Sequence, residues 1–174
     1  MIRFKKASIV ALGIVALVGC TKSAPPVSDT ASVAATGPAP DATADEQAIR
    51  AINPVWFKAY NAHDVDGVVA LYADDAVLNM PGIPAVRGPA AIRAAYQKDI
   101  QGAAAAGYTD TQGTNGEFGV SGDLGWEWNT FTVTDKSGKN VDAGKYVTVY
   151  ARRNGKWQII RDIWNSDLPS VPAK

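Results

Sequence analysis

Thiol and imidazole are almost missing from this chain. Its 174 residues hold one cysteine, Cys20, and one histidine, His63. A single thiol excludes an internal disulfide and a zinc–thiolate site. A lone histidine excludes a His-based metal cluster, and its place in Asn61-Ala62-His63-Asp64 predicts an exposed turn residue. No glycine-rich phosphate loop, nucleophile triad or dinucleotide fingerprint is present, so no cofactor is expected. Asp64-x-Asp66-Gly67 opens like a calcium loop but lacks the later acidic ligands, and reads as a helix cap. No metal is expected either. Excess charge is also missing: 17 Lys and Arg balance 17 Asp and Glu. Setting aside the three basic residues of the leader leaves 14 basic against 17 acidic, a net charge of −3. No basic block remains, so nucleic acid is not an expected partner.

What is present begins with that leader. Arg3, Lys5 and Lys6 precede the apolar run from Ala7 to Val18, which is too short to span a bilayer and reads as a secretory signal. It ends Leu17-Val18-Gly19-Cys20, which resembles the bacterial lipobox. The resemblance implies cleavage before Cys20, lipid on that cysteine, and an export-anchored lipoprotein. Thr21 after the cysteine resembles outer-membrane sorting, with the protein facing the periplasm. The alternative is an ordinary signal peptide with an incidental cysteine. Expected boundaries are a signal at 1–19, lipidated Cys20 with a flexible linker at 20–42, a domain at 43–168 and a tail at 169–174. The linker is rich in Ala, Pro, Ser and Thr and lacks bulky apolar residues, so ordering it gains little.

Within the domain, Thr43-x-x-Glu46 forms a capping box that starts a helix with the stripe Ile49, Ile52, Trp56, Ala59 and Tyr60. Pro54 predicts a kink, or a restart with Asn53 as cap. Asp64 or Asp66 caps a short second helix carrying Val68, Val69, Leu71 and Tyr72. A strand follows over Ala76–Asn79, then a third helix with Gly88 as N-cap and Pro89 as its first residue. After Gly107 the apolar period becomes two, predicting strands near 108–118, 123–134, 144–153 and 156–165. Asn154-Gly155 predicts a type I′ hairpin turn, and Ser137-Gly138 another reversal. Helices first and antiparallel strands later make an α+β class. The strands carry large residues on both faces, which predicts one face covered by helices and the other by a second subunit, as a homodimer.

Four segments carry a family resemblance: Asn61-Ala62-His63-Asp64, Leu71-Tyr72-Ala73-Asp74-Asp75-Ala76, Arg87-Gly88 with Ala91-Ile92-Arg93, and Gly155-Lys156-Trp157 through Ile163-Trp164-Asn165. Together they resemble the nuclear transport factor 2-like superfamily, in its SnoaL-like and ketosteroid-isomerase-like branch. The ending is similar to a SnoaL-like subgroup of mostly unassigned function. The resemblance covers roughly 45–168. It implies a cone-shaped fold, three N-terminal helices on a curved, mostly antiparallel sheet, around a pocket. In that resemblance the isomerases' tyrosine donor falls at Trp56, their aspartate base at Met80 and their protonated aspartate near Val147. Tyr96 matches the supporting tyrosine. Methionine cannot take a proton, and losing a general base costs about 10²–10⁴-fold in rate. Steroid isomerisation by that mechanism is therefore not expected.

The same register puts Ile160, Asp162 and Trp164 on the pocket face of the last strand, since all three share parity. An aspartate between Ile and Trp is desolvated, which raises its pKa and suits proton transfer. The other reading is a structural Asp, hydrogen-bonded to a helix terminus or to Tyr96. The expected pocket comprises Trp56, Tyr60, Asn79, Met80, Tyr96, Trp128, Val147, Ile160 and Trp164, with Asp162 as candidate acid/base. Two functions follow. One is binding of a small apolar or aromatic molecule without catalysis. The other is a cofactor-free isomerase, cyclase or hydratase acting through Asp162.

Overall fold

The computed structural model describes residues 42–168, with side chains from residue 44. The leader, Cys20, the linker to residue 41 and the tail lie outside the described residues. The expected first helix is present as two segments, α1 (Ala42–Arg50) and α2 (Ile52–Asn61). The helix begins before Thr43, and the break falls at Ala51, two residues ahead of the expected cap at Asn53. The cause is Pro54, whose ring lacks an N–H and clashes with the carbonyl four residues earlier. The Asn53 amide is engaged elsewhere, in the interior. Asp64 caps α3 (Val65–Val69), its carboxylate accepting the Gly67 N–H at 2.8 Å. That helix is shorter than expected, because Tyr72 already opens β1 (Tyr72–Asn79). His63 is exposed in the turn before it, with φ at 60°.

After β2 (Val86–Arg87), α4 runs Gly88–Ala106 with Pro89 in its first turn and stops at left-handed Gly107. The strand expected near 108–118 is split into β3 (Thr109–Gln112) and β4 (Glu117–Ser121). Asn129 from the neighbouring strand fills the gap. Its Nδ2 donates to the Gly113 carbonyl at 3.1 Å, and a Cβ on Gly116 would lie 2.6 Å from that same nitrogen. The long strands β5 (Leu124–Thr134), β6 (Asn140–Arg153) and β7 (Lys156–Ser166) complete the chain. Asn154 and Gly155 both have positive φ, 52° and 76°, as the type I′ turn between β6 and β7 requires.

The sheet order is β2-β1-β7-β6-β5-β3, with β4 on the same edge of β5 as β3. β1 and β7 pair in parallel; the other pairings are antiparallel. This is the expected α+β arrangement of helices on a mostly antiparallel sheet. The inner face packs Ile159 and Tyr150 with Ile49, Val68, Ile92 and Tyr96 of the helices. A smaller cluster joins Phe131, Val133 and Tyr146 to Phe57 and Trp164. Asp45 ties α1 to the far strands: its carboxylate accepts from Arg152 at 2.7 Å and from the Trp157 indole at 3.1 Å. On the outer face Leu124, Trp126, Val147 and Ile163 remain exposed.

Candidate functional site

Strand register decides which side chains meet. Glu127, Thr148, Asp162 and Leu78 stand opposite one another on β5, β6, β7 and β1, and all four are buried on the inner face. Trp128, Val147 and Ile163 form the adjacent row on the outer face. The expectation for Trp128 and Val147 is therefore corrected: both point away from the interior. A one-residue offset explains it, because neighbouring strand positions face opposite sides. Thr148 takes the inner position that the resemblance gave to Val147.

Ile160 is corrected for a different reason. Between Val149↔Arg161 and Tyr150↔Ile159 the β6–β7 register shifts, leaving Ile160 as the extra residue of a bulge. Ile159 and Asp162 both face inward across it, being 1% and 7% exposed. Parity holds from Asp162 to Trp164 but fails at Ile160.

Asp162 sits at the centre of a hydroxyl cluster. Its Oδ2 accepts from the Tyr72 hydroxyl at 2.5 Å and, more weakly, from Tyr96 at 3.5 Å. The two tyrosine oxygens lie 2.6 Å apart. Among the described residues its Oδ1 meets only the Thr148 hydroxyl, at 3.4 Å. Burial pushes the Asp162 carboxyl up to about 6, against the lowering effect of these three hydroxyls. Burial and the Asp162 charge hold Tyr72 and Tyr96 well above the ordinary tyrosine value. Asn79 does not line the cavity; its amide donates to the Asp162 backbone carbonyl at 3.2 Å and steadies β1 against β7.

Glu127 is wholly buried and anchors a second cluster. Oε1 accepts from Tyr146 at 2.7 Å, Gln112 at 2.8 Å and Asn129 at 3.3 Å. Oε2 accepts from Asn53 at 2.5 Å and Tyr150 at 3.1 Å. These five neutral donors replace the counter-ion that a buried carboxylate usually needs.

A cavity of about 550 Å³ opens between α2, α4 and the inner face of the sheet. Trp56, Tyr60, Met80, Tyr96, Asp162 and Trp164 all line it, as do Phe57, Phe131 and Tyr146. The Trp56 and Tyr60 rings stack, with centroids 4.9 Å apart and planes 14° apart. The Trp56 indole N–H is buried and acts on the Tyr96 hydroxyl, outside strict hydrogen-bond geometry. Asp99, Asp110 and Asp142 also line the cavity. The Tyr60 hydroxyl donates to Asp99 at 2.7 Å. Burial, with repulsion from Asp99 and Asp142, pushes Asp110 up to about 6. No group of three His, Cys, Asp or Glu among the described residues could hold a metal ion.

Residues 55–160, more than half of the chain, match the SnoaL-like domain family. The chain belongs to that family. Its fold is shared by solved structures of low identity. A nuclear transport factor 2-like protein of unknown function from Pseudomonas putida KT2440 is 22% identical, with a TM-score of 0.66 over 74% of this chain and 90% of that one. A ketosteroid isomerase-like protein from Erwinia carotovora atroseptica SCRI1043 is 24% identical, with a TM-score of 0.55 over 72% and 98%. A candidate dehydratase of the nuclear transport factor 2-like family from Streptomyces avermitilis is 17% identical, with a TM-score of 0.61 over 73% and 99%. No curated protein matches the sequence.

Sequence reasoning missed several groups in this SnoaL-like domain. Glu127 lies between Trp126 and Trp128; an inward Trp128 turns Glu127 to the other face, yet Glu127 shares parity with inward Phe131 and Val133. The helical reading of Tyr72 hides its approach to Asp162. Asp99 and Asp110 carried no motif; only the packing of α4 and β3 around the cavity brings them to it.

Proposed function

We propose that this SnoaL-like domain binds a small molecule with an apolar or aromatic body, held at the outer membrane by lipid on Cys20 and facing the periplasm. The cavity carries the binding reading. Its size falls in the range of small-molecule sites, and its walls are mainly aromatic and aliphatic with a few polar groups. The leader and its lipobox-like end support the anchor. A second copy of the chain covers the exposed outer face of the sheet, giving a homodimer. Native mass spectrometry of the full chain released from detergent tests these points together. We expect a dimer mass carrying a small-molecule adduct and a diacylglycerol-type increment on Cys20. An empty cavity that also ignores a panel of aromatic compounds would remove the binding reading.

A second reading is favoured by one observation: Asp162 lies at the cavity wall among three hydroxyls, where burial pushes its carboxyl up to about 6. A group poised near neutrality suits general acid–base work. In that reading the domain is a cofactor-free isomerase, cyclase or hydratase, with Asp162 moving the proton and Tyr96 and Trp56 positioning the substrate. The prediction is a turnover that Asp162→Asn lowers by about 10²-fold or more while leaving ligand affinity within a few-fold. Equal turnover in the variant would sink it.

A further inference from the structure

Several carboxylates outside the cavity of this domain pair with cations: Asp45 with Arg152, Asp66 with Arg93, Asp75 with Arg153 and Asp167 with Lys145. Four that line the cavity do not, and in this they resemble Glu127 and Asp135, which meet neutral donors. Asp99 on α4, Asp110 on β3, Asp142 on β6 and Asp162 on β7 all line the cavity, and none forms an ion pair among the described residues. Their partners are neutral. Tyr60 serves Asp99; Ser166 and the Ala143 N–H, each at 2.7 Å, serve Asp142; and hydroxyls serve Asp162. The Asp110 carboxylate has no donor among the described residues, although its backbone is held at both ends by Asn61. Lys98 is the one cationic side chain on the lining, against these four carboxylates.

We infer that the ligand of this cavity is an organic cation, an ammonium group attached to an apolar or aromatic body. The inference rests on the binding reading above and narrows its ligand class. Walls of low polarity focus the field of uncompensated carboxylates into the cavity, which raises the local concentration of a cation. The stacked pair Trp56 and Tyr60 adds aromatic surface to the lining, and the negative quadrupole of such rings attracts the same charge. Burial is the larger cause that pushes Asp110 upward, and the repulsion from Asp99 and Asp142 that adds to it is what such a guest relieves. A metal ion does not fit, since the described carboxylates do not converge into a ligand set. The aromatic lining has no use for a bare ion, whereas it matches the carbon body of an amine.

The test uses three probes that share one ring system and differ in charge: tryptamine, tryptophol and indoleacetate. Each is titrated calorimetrically into the full chain in detergent at low salt. Tryptamine should bind at least about tenfold more tightly than tryptophol, with indoleacetate weakest. The Asp99→Asn/Asp110→Asn double variant should cut the tryptamine preference to below about threefold and leave tryptophol unchanged. Equal or tighter binding of tryptophol or indoleacetate, or a preference the double variant leaves intact, overturns the inference while the binding reading stands. Failure of all three to bind overturns both. Circular dichroism of the double variant confirms its fold; Asp99→Ala alone, which removes one charge, must move the preference in the same direction.

Discussion

Glu127 and Asp162 share the inner face of this sheet with Asp110 and Asp142, and the surroundings of the first two give them different work. Glu127 is fully enclosed and meets five neutral donors, so its role is to fix Tyr146, Tyr150, Asn53 and Gln112 in place. Glu127→Ala leaves those donors without an acceptor and should cost about 3–5 kcal/mol in urea unfolding. Glu127→Leu fills more of the space yet leaves the same donors unmet, so it should recover little. Asp162 meets three hydroxyls, and burial opposes its charge. With a folded pKa of about 6 against an ordinary value of 3.8, it binds more protons folded than unfolded between those limits. Asp110 behaves alike. Stability should therefore fall as pH rises from about 4 to about 6, then level off, by an amount on the order of 1–3 kcal/mol. Calorimetry should give a higher Tm near pH 5 than near pH 7.5, and Asp110→Asn should flatten that slope. A Tm that climbs with pH through this window would contradict the placement of both groups.

At the scale of elements, the bulge at Ile160 aims the last strand. It turns Asp162 and Trp164 toward the cavity while Ile159 stays in the core. Gly144 has a comparable task on β6: an added Cβ would lie 2.1 Å from the Asn165 carbonyl and 2.5 Å from the Phe131 ring. Gly144→Ala should destabilise by about 1–3 kcal/mol, seen as a lower urea midpoint, with the cavity narrowed beside Phe131. Much of this level was legible in the chain itself. Asn154-Gly155 named its turn because only a few residues accept positive φ in succession. Asp64 named its cap because a short carboxylate reaches a nearby N–H. Pro54 announced a break for its own steric reasons, with the cap misplaced at Asn53. What stayed hidden is non-local. The extent of β1 depends on its partner β7, the split between β3 and β4 depends on Asn129, and a bulge leaves no mark in an alternating pattern. The facing errors at Val147, Trp128 and Ile160 all come from that source. Trp56 and Tyr96 could be placed because each sits in a helical stretch whose period is unbroken, and Asp162 because it shares parity with Trp164 beyond the bulge.

At the scale of the molecule, the outer face of the sheet exposes Leu124, Trp126, Val147 and Ile163 side by side. Apolar patches of this kind mark contact surfaces. If a second copy lies there, Trp126→Glu with Ile163→Glu should convert a dimer to a monomer in sedimentation velocity while the circular dichroism spectrum stays the same. An unchanged sedimentation coefficient would place the subunit contact elsewhere. The parallel pairing of β1 with β7 has a consequence in time. β5, β6 and β7 follow one another through short reversals and can zip locally, whereas Tyr72 reaches Asp162 across 90 residues of chain. Contacts so distant in sequence form slowly, after loop closure has been met by other packing. Hydrogen exchange should then show β1 amides opening at lower free energy than those of β6. The corner that joins β1 to β7 is then expected to assemble after the β5–β6–β7 meander and to open before it.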